Sequence, residues 1–96
     1  MVPRRHEADY FALTADVQSA MWRLANAVRQ RIERELHPGG HNLGVNVGPA
    51  AGQRVGHAHI HLIPRYAGDV DDPRGGIRWI VPAKARYREG RDHVDC

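Results

Sequence analysis

Between Gly56 and Tyr66 the sequence reads GHAHIHLIPRY, which sets His57, His59 and His61 at alternate positions. Along an extended chain successive side chains point to opposite faces and residues two apart lie about 7 Å from each other, so the three imidazoles share one face. Ala58, Ile60 and Leu62 then point the other way, into a core. Alternation of polar with apolar residues describes any half-exposed strand, and one histidine on such a face carries no message. Three in register form a chemical array.

Two chemistries suit that array. Neutral imidazoles bind zinc, copper or nickel, and alternate strand positions can converge on one ion. Imidazole also titrates close to neutrality, which makes it both a competent nucleophile toward phosphorus and a usable general acid. The neighbours favour the second. A metal site is helped by a nearby carboxylate or cysteine, and the segment leading into the histidines, GPAAGQRVG, has neither. It offers donors instead: backbone N–H groups at Gly48, Gly52 and Gly56, the amides of Asn46 and Gln53, and the charge of Arg54 all suit phosphate oxygens. Alone, such a loop is an ordinary hairpin turn; beside three aligned histidines it reads as a phosphate cradle.

The elements that must position these groups follow from local patterning. Thr14 in ALTAD is a helix cap, and Val17, Met21, Leu24, Val28, Ile32 and Leu36 recur at the spacing of one helical face. The helix is expected to stop near His37, because Pro38, Gly39 and Gly40 follow. NLGVNVG, residues 42–48, reads as a strand entering the small-residue loop PAAGQ, and a second strand is expected from Val55 to Ile63, ended by Pro64. The two strands should pair as a hairpin. GDVDDPRGG has the composition of a loop, IRWIVP reads as a short further strand, and the polar end KARYREGRDHVDC is expected to fray.

Composition bounds the class. Ninety-six residues, 42% hydrophobic and 26% charged, suit one soluble domain with a modest core. No apolar run reaches the roughly 18 residues needed to cross a bilayer, and MVPRRHEADYF lacks the apolar stretch of a secretory signal, so a cytoplasmic location and no membrane partner are expected. The single cysteine, Cys96, excludes an internal disulfide. A net charge of +3 favours anionic partners. Its arginines are interleaved with acids and apolar residues rather than massed, however, which argues against nucleic acid and leaves a small phosphorylated ligand.

With these residues in place, NVGPAAGQRVGHAHIHLIPR resembles the signature of the histidine triad (HIT) family of nucleotide hydrolases and transferases, and GDVDDPRGGIRWIVP resembles the tail of bacterial members similar to dinucleoside polyphosphate hydrolases. The resemblance implies an α+β fold, one long helix packed on a small antiparallel sheet, with residues 1–87 forming a partial HIT domain and residues 88–96 a polar tail. It implies that His59 attacks the α-phosphorus of a nucleotide or dinucleoside polyphosphate to give a covalent nucleotidyl-histidine. His61 then contacts phosphate and leaving group, and His57 orients the surroundings. Asn46, Gly52, Gln53 and Arg54 fall at phosphate-contacting positions, no metal or other cofactor is required, and a homodimer is implied.

Two departures stand out. Arg54 occupies a position where the family more often has a serine or threonine hydroxyl. Family members also carry a helix and strands ahead of the segment matching VPRRHEADYF, including a further histidine that supports the triad; His6 is not that residue. A non-catalytic nucleotide-binding or interaction remnant is the alternative reading, and a metal-binding protein the third.

Overall fold

The computed structural model describes residues 1–4 and 6–85; the expected polar tail therefore lies outside the described residues. The chain divides into two units, Met1–Tyr66 and Ala67–Cys96.

The first unit is built around helix α1, Ala15–Leu36. As expected, Thr14 caps it, its hydroxyl accepting the Val17 N–H at 3.2 Å, and Asp16 in the first turn complements the helix dipole. The helix ends at His37, which takes the left-handed conformation (φ 51°) and gives its N–H to the Glu33 carbonyl. Pro38 enforces that exit, because its ring disfavours the right-handed helical region for the residue before it. A short 3-10 turn, Tyr10–Ala12, precedes the helix and is capped by the Asp9 carboxylate, which accepts from Phe11 N–H. The buried stripe of α1 differs from the expected one. Met21 and Ala25 are buried, whereas Leu24 and Leu36 are 47% and 56% exposed. Val17, Val28 and Ile32 of the expected stripe are half-buried, and the second buried position falls four residues after Met21 rather than three, on a small side chain.

The expected hairpin is present, with different limits. Strand β1, Gly40–Gly44, pairs antiparallel with β2, His61–Arg65, in a register that sets Leu43 opposite Leu62 and Gly44 opposite His61. The first strand thus lies earlier than residues 42–48, and the second begins only at His61 and runs through Pro64, which faces His41. A strand with a single partner accommodates a proline when the missing N–H would face the open edge. Residues 57–60 lie outside this ladder. They bond instead to the start of the chain: the Met1 amino group donates to Ile60 O and Ile60 N–H to Met1 O, both at 2.9 Å, and Ala58 N–H donates to Glu7 O at 2.6 Å.

These contacts close the core. Leu13, Met21, Ala58 and Ile60 are buried together, with Met1, Tyr10, Val17 and Val45 packed around them. Ala58 and Ile60 therefore face inward as the alternation requires, and the fold is one long helix packed on a two-stranded antiparallel sheet. Among the described residues no helix is long and apolar enough to cross a membrane.

In the second unit IRWIVP is not a strand. It forms two 3-10 helices, Gly76–Ile80 and Pro82–Lys84. Gly75 and Gly76 both take positive φ, 95° and 49°, which breaks any extended run before it starts. A Cβ on Gly75 would lie 2.7 Å from Ala85 O and 2.8 Å from Trp79 Nε1, so that turn requires glycine. Trp79 Nε1–H donates to Arg74 O at 2.7 Å. Arg74 itself forks onto Asp72, whose hydrogen bond and charge raise the guanidinium above its ordinary value.

Candidate active site

Of the three aligned histidines, only His61 belongs to β2; His57 and His59 stand on the lead-in that the N-terminal residues hold. Burial of Ala58 at 1% and Ile60 at 2% exposure keeps the intervening imidazoles on the opposite side, where His57 and His59 are half-buried and His61 is exposed. The rings do not form one uniform row. His59 and His61 meet edge to face, with centroids 4.6 Å apart and planes at 73°. The His57 ring instead meets His6, at 5.0 Å and 46°.

Two hydrogen bonds define what these rings can do. His59 Nδ1 lies 2.9 Å from the carbonyl oxygen of His57. A carbonyl only accepts, so Nδ1 carries a proton, and in the neutral ring Nε2 is then the nitrogen with the lone pair. His57 Nε2 lies 3.0 Å from Pro3 O, and by the same reasoning donates to it. The His59 ring, oriented in this way, lies beside that of His61.

The loop between the strands is closed by Gln53. Its Oε1 accepts the Gly48 N–H at 2.8 Å while its own backbone N–H donates to Gly48 O, and its Nε2 donates to Ala8 O at 2.7 Å and Val55 O at 3.1 Å. Gly48 and Gly52 both take positive φ, near 88° and 89°, around the short turn Pro49–Ala51. Gly52 N–H donates to Pro49 O. The Gln53 amide and the N–H groups of Gly48 and Gly52 are thus occupied within the loop and its support. Asn46 is half-buried just beyond β1, and Arg54 is exposed. Among the described residues no group of three or more histidine, cysteine or carboxylate side chains is arranged to hold a metal ion. An open cleft of about 490 Å³ lies along the first half of α1, between Tyr10, Gln18, Trp22 and Arg23, and includes none of the three histidines.

One contributor was not visible in the motif. Pro3 and His6 stand more than fifty positions before His57, and nothing in their local sequence marks them as its neighbours. Only the pairing of the first residues with residues 58–60 brings them there.

A capped helix, an antiparallel hairpin and three alternating histidines with the middle imidazole oriented by the carbonyl of the first define a class, and the comparison with known families agrees. The HIT domain family model matches residues 1–68, and the chain belongs to that family. It is 39% identical over 69 residues to the bifunctional bis(5'-adenosyl)-triphosphatase/adenylylsulfatase FHIT of Arabidopsis thaliana, an alignment covering 72% of this chain and 38% of that protein. It is 31% identical over 72 residues to the asymmetrical bis(5'-nucleosyl)-tetraphosphatase of Schizosaccharomyces pombe, covering 75% and 40%. A crystal structure of a HIT family protein from Bacillus anthracis superposes with a TM-score of 0.66 at 42% identity, over 70% of this chain and 48% of that one. The chain spans half or less of the length of these three proteins.

Proposed function

We propose that this protein processes nucleotides by attack of His59 Nε2 on an α-phosphorus. The observation that carries the reading is the bond from His59 Nδ1 to the His57 carbonyl, which in the neutral ring leaves the lone pair on Nε2. In the first step the Nε2–P bond forms and the bond from phosphorus to the bridging oxygen breaks, so that the remaining phosphate chain departs. In this reading His61, whose ring meets that of His59 edge to face, protonates that oxygen. Water then attacks phosphorus and gives a proton back to His61, the N–P bond breaks, and a nucleoside monophosphate is released with His59 restored.

Related proteins named as a bis(5'-adenosyl)-triphosphatase and a bis(5'-nucleosyl)-tetraphosphatase support dinucleoside polyphosphates as the substrate class. Asn46, the Gly52–Gln53 turn and Arg54 serve the phosphates in this reading, with Gln53 exchanging one of its backbone partners for a phosphate oxygen. The reading includes a cytoplasmic homodimer; an edge of a two-stranded sheet invites pairing of that kind. Turnover of diadenosine triphosphate, measured beside a folded His59→Ala variant, tests it. Loss of at least a thousandfold in kcat is expected, on the order of what removal of a nucleophile costs, and an unchanged rate would reject the mechanism.

A further inference from the structure

Met1, Pro3 and Glu7 do not meet the histidine segment as a regular ladder. Met1 and Ile60 exchange two hydrogen bonds, the pattern of an antiparallel pair. Continued two residues at a time, that register would set Pro3 opposite Ala58. Ala58 N–H goes instead to Glu7 O, four residues further on, so that bond is out of this register. The His57 imidazole has two partners here: its Nε2 donates to Pro3 O, and its ring lies 5.0 Å from that of His6, tilted by 46°. His6 is exposed, so core burial does not account for that contact.

His57 has two parts with different partners. Its side chain is gripped by Pro3 and His6, and its carbonyl oxygen receives the Nδ1 proton of His59. We infer that His6 is a positioning residue which, by holding the His57 imidazole, keeps the His57 carbonyl aimed at His59 Nδ1 and so sets the tautomer of the nucleophile. The inference rests on the proposed role of His59 for its consequence, but not for its geometry. A tilted ring contact and a hydrogen bond from Nε2 together restrict the rotation of the His57 side chain. Loss of the ring leaves a single hydrogen bond about which the imidazole can turn. The property His6 supplies is therefore an aromatic ring, and phenylalanine should replace it.

Nitrogen-15 NMR of the imidazoles separates this from the catalytic proposal. In the wild-type chain His59 should show a protonated Nδ1 and a bare Nε2. In His6→Ala the two tautomers of His59 should mix, and in His6→Phe the single wild-type form should return. Kinetics with diadenosine triphosphate should follow, with kcat lowered about tenfold in His6→Ala, the scale of one lost ring contact, KM held within about twofold, and kcat restored in His6→Phe. Should the alanine variant fail to fold, His6→Gln removes the ring and keeps a polar side chain. An unchanged His59 tautomer in the ring-less variant would overturn the inference, as would failure of phenylalanine to restore it. A wild-type chain without turnover would count against the proposed reaction alone, since the tautomer measurement needs no substrate.

Discussion

The long helix and the histidine-bearing lead-in to β2 are held by opposite means. Helix α1 is closed by its own neighbours: Thr14 takes the N–H of Val17, His37 gives its own to Glu33, and Arg29 and Arg31 pair with Glu33 and Glu35 one turn on. His57 and Ile60, by contrast, are tied to Pro3 and Met1, 54 and 59 positions away. The difference teaches where damage should stay local. A lost cap or surface pair in α1 frays one end of a helix, whereas a lost contact in the lead-in shifts the groups proposed to do chemistry.

The largest effect is expected from Ile60→Ala. Among the described residues Ile60 is the largest fully buried side chain, and removing it should cost about 3 kcal/mol in unfolding free energy, through lost transfer and a residual cavity. Leu24→Ala, on the half-exposed flank of α1, should cost about 0.5 kcal/mol or less. Equal losses in denaturant titration would erase the contrast between the two regions. A smaller change should follow Gln53→Ala, which frees the Gly48 amide and unties the loop from Ala8 and Val55. A cost of about 1.5 kcal/mol is expected. The Gly48 N–H should exchange with deuterium about tenfold faster, at the corresponding 1.4 kcal/mol per decade. A protected Gly48 in the variant would show that the glycine-rich turn holds itself. Thr14→Ala should cost about 1 kcal/mol as an N-cap is lost, with kcat unchanged. A fall in kcat there would couple the helix start to the site and sharpen the comparison against the account.

What could be read from the sequence follows the same division. The helix limits were legible because a cap and a proline act on their immediate neighbours, and the inward turn of Ala58 and Ile60 was legible because alternation is a local rule. Strand limits were not. Whether Gly40 or Val47 belongs to β1 depends on the register with β2, and Pro64 stays in its strand because of what lies beside it. Ala25 escaped a pattern built on large apolar residues. IRWIVP has the composition of a strand, and the positive φ values at Gly75 and Gly76 overrule it. The contact of His6 with His57 has no local signature at all; it exists only because residues 1–7 return to residues 57–60.

The central claim, that His59 Nε2 forms a bond to phosphorus, is tested most directly by removing the imidazole and supplying it on the substrate. A His59→Gly variant should fail to hydrolyse diadenosine triphosphate, because no nitrogen is present to displace the phosphate chain. The same variant should release AMP from adenosine 5'-phosphorimidazolide, whose imidazole–phosphorus bond already stands where the His59 adduct would form. Hydrolysis of diadenosine triphosphate by the folded glycine variant at the wild-type rate would contradict the account.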